Sequence, residues 1–167
     1  HTRLRSGILL GGLYLGPARD EERANRAECL RVLDLLGLAR VRDLPLGVLP
    51  YGLQKRADLA RALAMRPKLL LLDEPVAGMS LEESRDMAAV ILDIKEQLGV
   101  TQILVEHDMA MVMGIADRVL VLDFGRVIAE GAPAAVQANP DVIKAYLGEE
   151  LGEAPSADGA SPAETAP

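Results

Sequence analysis

The 167 residues contain no Gly-Lys pair. Within them a phosphate-cradling loop of the form Gly-x-x-x-x-Gly-Lys-Ser/Thr is excluded, because that loop needs its glycines for close backbone approach and its lysine for charge. Gly7, Gly11, Gly12 and Gly16 crowd the first segment, but their spacing does not fit such a loop and no lysine precedes Lys55. A loop or short helix is the expectation there. The single cysteine, Cys29, excludes an intrachain disulfide and fits a reducing compartment. It falls in a helical pattern and is expected to be a small core residue. Basic residues are outnumbered, 18 Lys and Arg against 25 Asp and Glu, for a net charge of −7. That balance disfavours a large nucleic-acid footprint. No apolar run reaches the roughly 18 residues needed to cross a bilayer, and no stretch has the pattern of a signal peptide. Membrane association is therefore expected through a partner protein. The first residue is His1, where translation does not normally begin, so upstream sequence is expected to have been lost, by truncation or processing.

What is present is the composition of a globular domain, 50% hydrophobic and 26% charged. Asp20, Glu21 and Glu22 are expected to open a helix, acids lying at its positive end. Cys29, Leu30, Leu33 and Leu36 give that helix an apolar stripe, and Gly37 suits its stop. A loop through Pro45, Gly47 and Pro50 leads to a second helix over about 53–66. Residues 69–72 read as a strand. Ser80-x-x-Glu83 is a capping box for a long helix to about 98, with Met87, Ile91, Ile94 and Leu98 on one face and Gly99 at its end. Ile103-Leu104-Val105 reads as a second strand and residues 109–116 as a short helix. Val119–Leu122 and Val127–Ala129 flank an Asp-Phe-Gly-Arg turn and are expected to form a hairpin. Pro133 and Pro140 suit the first turns of two short helices. From about residue 148 the chain is Glu, Ala, Pro, Ser and Gly, with little to bury, and is expected to be disordered. Alternating strands and helices predict an α/β fold with a mostly parallel sheet. No internal repeat is visible.

The chemistry concentrates at Leu69-Leu70-Leu71-Leu72-Asp73-Glu74-Pro75. Four consecutive leucines fit a strand buried on both faces of a parallel sheet. Two acids at the end of such a strand stand where α/β folds place their ligands. An Asp there can hold a Mg²⁺, and an adjacent Glu can orient or deprotonate a water. The bland alternative is a surface turn beginning with two acids and a proline. Before this strand stands Leu49-Pro50-Tyr51-Gly52-Leu53-Gln54-Lys55-Arg56, and after it Val105-Glu106-His107-Asp108.

In that order the three segments resemble the ATP-binding subunits of ABC transporters, with signature motif, Walker B strand and catalytic Glu, D-loop and switch His. The likeness extends to Asp58-Leu59-Ala60-Arg61-Ala62-Leu63, to Ala116-Asp117-Arg118-Val119 and to Asp123-Phe124-Gly125-Arg126, and covers about residues 20–148. Val76-Ala77-Gly78-Met79, Glu106-His107-Asp108-Met109, Ile128-Ala129-Glu130-Gly131 and the run Asn139 to Gly148 resemble the branched-chain amino-acid importer branch. The resemblance implies the C-terminal portion of a P-loop NTPase fold. Residues 1–48 would belong to the helical subdomain, 49–147 to the ATPase core and 148–167 to a tail. It implies ATP and Mg²⁺ as ligands, with Asp73 on the metal, through water, and Glu74 polarising the attacking water. His107 would donate to charge developing on the γ-phosphate; its bland alternative is a capping or packing histidine. Tyr51, Gly52 and Gln54 would face a phosphate across a dimer, Gly52 through its N–H at a helix N-terminus; an ordinary helix-start glycine is the alternative. Arg56 and Arg61 are expected to be solvated.

Two segments depart from the family pattern. Pro50, Tyr51, Gly52 and Leu53 stand where a Ser, two glycines and a Gln are usual, so any serine contact is gone. The usual D-loop Asp is Ser80, for which the capping box offers a structural role. The family's P-loop, its Gln-bearing loop, its first strand and its adenine-stacking aromatic would all lie upstream of residue 1. The chain alone is therefore expected to bind ATP weakly or not at all. The implied partners are a second ATPase subunit packed head to tail, transmembrane permease subunits and, indirectly, a solute-binding protein. The implied location is the cytoplasmic face of the inner membrane. An alternative is a non-catalytic partner that lends its signature to a complete ATPase, though such a role would not need Glu74 or His107. A DNA-repair or chromosome ATPase is disfavoured, because the long coiled-coil segments beside its motifs are missing here.

Overall fold

The computed structural model describes residues 17–145. The glycine-bearing start and the tail from 148 lie outside these residues. The chain divides into two compact units between Met111 and Val112.

In the first unit, α1 (Pro17–Leu35) begins about one turn before the acids expected to open it, with Pro17 at a first-turn position where its missing N–H costs nothing. Gly37 follows at φ +68, a left-handed stop that glycine adopts without strain. Burial is confined to the end of this helix, at Val32, and just beyond it at Leu36 and Leu38. Cys29 is exposed and Leu30 is 38% exposed, so the expected stripe does not extend that far back. Only the end of α1 is covered, by α2 (Tyr51–Leu63) and α3 (Leu81–Leu98), which explains the difference. A single 3₁₀ turn, Leu46–Val48, precedes α2, which buries Gly52, Leu59, Ala60 and Leu63. The capping box on α3 forms as expected: the Ser80 hydroxyl accepts from the Glu83 N–H and the Glu83 carboxylate accepts from the Ser80 N–H. Met87, Val90, Ile91 and Ile94 form the buried face of α3, while Leu98 is 41% exposed beside the left-handed cap at Gly99.

Helix α3 joins β1 (Leu69–Asp73) to β2 (Thr101–Val105), and the two strands pair in parallel from Leu69↔Thr101 to Asp73↔Val105. The strands are not buried on both faces. Leu70 and Leu72 are buried, whereas Leu69, Leu71, Ile103 and Val105 are 48%, 69%, 52% and 57% exposed. The Gln102 side chain donates to the carbonyl of Ile91 at 2.9 Å, which sets the inward face against α3. No described element covers the outward face, so the alternate leucines of an unbroken apolar run end up in solvent.

Helix α4 (Met109–Ile115) spans the division. In the second unit, β3 (Val119–Asp123) and β4 (Arg126–Gly131) form the expected hairpin, antiparallel rather than part of a parallel ladder. Phe124 at φ +44 and Gly125 at φ +77 make the two-residue turn whose twist matches paired strands. Helix α5 (Pro133–Gln137) packs Val136 beside β3 and β4, and a further helical stretch occupies 140–145. Both closing helices start at the prolines expected to open them.

Candidate active site

Parallel pairing brings the carboxyl ends of β1 and β2 side by side. Asp73 is the last residue of β1, opposite Val105, and its carboxylate is exposed. Glu74 follows, and its N–H extends the ladder by donating to the Val105 carbonyl at 2.9 Å. Glu74 has φ +43, in the left-handed region where a side chain is strained unless its surroundings hold it. Just beyond β2, His107 Nδ1 stands 3.8 Å from Glu74 Oε1. That distance is too long for a hydrogen bond but close enough for charge interaction. With side chains 75% and 54% exposed, the contact contributes little to stability. Asp108, not His107, caps α4: its Oδ1 accepts the Met111 N–H at 2.9 Å. The His107 side chain therefore does not cap α4, and it is largely exposed.

Asp73 and Glu74 thus stand at the end of β1 and His107 just past the end of β2, with His107 within 3.8 Å of Glu74. Among the described residues no group of three His, Cys, Asp or Glu could enclose a metal. One exposed carboxylate at a strand end still fits Mg²⁺, which commonly takes one or two protein carboxylates and completes its shell with water and phosphate oxygens.

The signature-like segment is the start of α2. Its N-cap is Pro50, which makes no side-chain cap. The N–H groups of Leu53 and Gln54 return to the Pro50 carbonyl, which leaves those of Tyr51 and Gly52. Gly52 lies against α3, its N–H facing the Glu83 carboxylate, and a Cβ on Gly52 would lie 3.0 Å from Glu83 Oε1. A larger residue there would have to push the Glu83 carboxylate aside by a few tenths of an ångström. Glu83 therefore closes the N-terminus of its own helix and places its negative charge beside that of α2. The Ser80 N–H first, then the Ser80 hydroxyl and the Gly52 N–H, hold its carboxyl below the usual carboxylate range. Tyr51 is 47% exposed, with its ring beside Gly78 and Lys55 Nζ 5.6 Å from the ring centre. The Gln54 side chain does not face outward: it donates to the Leu49 carbonyl at 2.8 Å and fastens the helix start. Arg61 is solvated as expected and pairs with Asp58, but Arg56 is only 17% exposed and bridges α2 to Asp86 of α3 at 3.2 Å.

The chain is similar to known proteins. A family model described as "ABC transporter" matches residues 7–77, and one described as "Branched-chain amino acid ATP-binding cassette transporter" matches residues 126–152. The high-affinity branched-chain amino acid transport ATP-binding protein BraF of Pseudomonas aeruginosa is 40% identical over 150 residues, 89% of this chain and 58% of that protein. The chain belongs to the ABC transporter ATP-binding family. LivG of Escherichia coli K12, also named for high-affinity branched-chain amino acid transport, is 36% identical over 149 residues. The methionine import ATP-binding protein MetN of Rhizobium etli is 42% identical over 129 residues, 76% of this chain and 35% of that protein. Among solved structures, an ATP-binding cassette of an ABC transporter in its ADP conformation is 26% identical with a TM-score of 0.67, covering 84% of this chain and 61% of that one. The cbiO1 protein of Clostridium perfringens, part of an ABC transporter complex, is 30% identical with a TM-score of 0.67, covering 91% and 63%. This ABC chain spans 58% of the length of BraF and of LivG.

Sequence reasoning found the capping box of this ABC chain but missed that the Glu83 carboxylate also lies beside Gly52. The only available signal was that Pro50 cannot cap its own helix. A carboxylate with a depressed folded-state pKa stabilises the fold above its unfolded pKa, and that stability is lost as pH falls through the folded value. Thermal unfolding of the chain is therefore expected to show an acid limb below the ordinary 4.5 of a glutamate, to which Glu83 contributes. Glu83→Gln keeps the capping-box geometry and is expected to flatten that limb, whereas an unchanged pH profile would contradict the assignment.

Proposed function

We propose that this chain forms part of the ATP-hydrolysing subunit of an importer for amino acids, the branched-chain class first. The observation that supports it most is the approach of His107 to Glu74, next to Asp73, at the carboxyl ends of two parallel strands, in a chain whose relatives include BraF and LivG. ATP is the substrate in this reading. Glu74 orients a water and takes its proton as the water oxygen bonds to the γ-phosphorus. The bond from that phosphorus to the β–γ bridging oxygen breaks, and ADP and phosphate leave. Phosphoryl transfer of this kind needs a placed nucleophile and stabilised charge more than covalent help. His107 donates a hydrogen bond to charge that grows on the γ-phosphate oxygens. Asp73 would hold Mg²⁺ through water, and the ion when bound would supply positive charge to the phosphates.

The start of α2 serves a neighbouring subunit in this reading. Tyr51 and Gly52 face a nucleotide held by a second ATPase subunit, with the Gly52 N–H exchanging Glu83 for phosphate. Permease subunits carry the assembly at the inner face of the membrane. A phosphate-cradling loop is absent from the 167 residues, so nucleotide binding needs polypeptide beyond them. Fluorescent ATP titrated against the 167-residue chain is expected to show no saturation in the micromolar range; micromolar affinity would sink this part of the reading. In the assembled ATPase, Glu74→Gln is expected to lower turnover by about 10²–10⁴-fold while ATP binding stays unchanged. Turnover within a few-fold of wild type would remove Glu74 from the reaction.

A further inference from the structure

Glu106 lies between the end of β2 and His107, and no role has yet been given to it. Its side chain has no solvent exposure, although its backbone leaves the residue as a whole half-buried. A buried carboxylate is costly unless its oxygens are satisfied. Here both are: Oε1 accepts the Val76 N–H and Oε2 accepts the His107 N–H, each at 3.2 Å.

Those two amides belong to the two segments that carry the site. Val76 lies just past Glu74 and Pro75, and Pro75 has no N–H of its own to anchor the turn. The strained Glu74 is thereby held from both sides. On one side its own N–H reaches the Val105 carbonyl at 2.9 Å, and on the other the Val76 N–H reaches Glu106 at 3.2 Å. Both anchors come from the end of β2. The same carboxylate fixes the backbone of His107, whose Nδ1 lies 3.8 Å from Glu106 Oε2 and 3.8 Å from Glu74 Oε1. The imidazole thus stands between an exposed carboxylate and a buried one. An apolar side chain at position 106 would orphan two backbone donors at once, one in each segment.

We propose that Glu106 is the positioning residue of this site, its carboxylate clamping the Glu74 turn and the His107 loop into one geometry. Its effect on turnover rests on the roles proposed for Glu74 and His107; the clamp itself does not. Two experiments read the two levels. Amide hydrogen exchange on the chain is expected to show the Val76 and His107 amides exchanging about tenfold or more faster in Glu106→Ala, with α3 amides as in wild type. Wild-type protection at both amides would overturn the clamp. In the assembled ATPase, Glu106→Ala is expected to lower kcat by about 10–100-fold with KM for ATP changed by no more than about threefold. Glu106→Gln keeps the volume and one acceptor oxygen, and is expected to recover part of kcat. Unchanged kcat in Glu106→Ala, or a Gln variant no better than Ala, would overturn the positioning role. If the Ala variant fails to fold, Glu106→Gln carries the exchange test: it must speed exchange at one of the two amides at least, and no change at either overturns the proposal. Retained turnover in Glu74→Gln would remove Glu74 from the reaction and leave the exchange result standing, so the two failures are distinguishable.

Discussion

Parallel pairing of β1 with β2 sets Asp73 opposite Val105, and the site hangs from that register. The ladder continues one step further, through the Glu74 N–H, before the chain turns away in a left-handed conformation. A slip of one residue would turn Leu70 and Leu72 outward and carry Asp73 and Glu74 to the wrong faces. The register therefore fixes the core and the acids together. His107 enters from the neighbouring strand end, and the buried carboxylate of Glu106 fastens its backbone to the turn after Glu74. Glu74 keeps an otherwise unfavourable backbone angle because hydrogen bonds on either side of it come from one rigid neighbour.

The start of α2 depends on a second borrowed carboxylate. Proline at the N-cap leaves that helix without a cap of its own, and the Glu83 carboxylate of α3 lies beside Gly52 while closing the capping box of α3 itself. Arg56 to Asp86 adds a second link between the same helices. The segment from Gly78 to Glu83 thus connects the turn after Glu74 with the segment whose Tyr51 and Gly52 are proposed to meet a neighbouring subunit. Both ends of the site are organised by carboxylates that accept backbone N–H groups: Glu106 at one, Glu83 at the other.

Much of this was legible in the sequence because the signals are local. The Ser80–Glu83 box, the left-handed stops at Gly37 and Gly99, and the Phe124-Gly125 turn each depend on a few adjacent residues, and each stands where expected. What was not legible depends on neighbours in space. Four identical leucines carry no alternation, so the sequence could not reveal that Leu69 and Leu71 face solvent while Leu70 and Leu72 are buried. Cys29 sits at the right helical spacing for a core, but only the end of α1 is covered. Gln54 looked like a ligand-facing residue by its place in the motif, and a carbonyl five residues earlier takes its amide instead. The links from Glu83 to Gly52 and from Glu106 to Val76 join elements far apart in sequence, where no periodicity reports contact.

The central claim is that Asp73, Glu74 and His107 act on one phosphoryl group. A crystal structure of the assembled ATPase with Mg·ADP and a γ-phosphate mimic tests it most directly. The expected result places Glu74 and His107 on opposite sides of the mimic. The Glu74 carboxylate would lie about 3 Å from an in-line water and the His107 imidazole about 3 Å from a mimic oxygen. A mimic bound away from the ends of β1 and β2, with Glu74 in contact with bulk solvent alone, would contradict it.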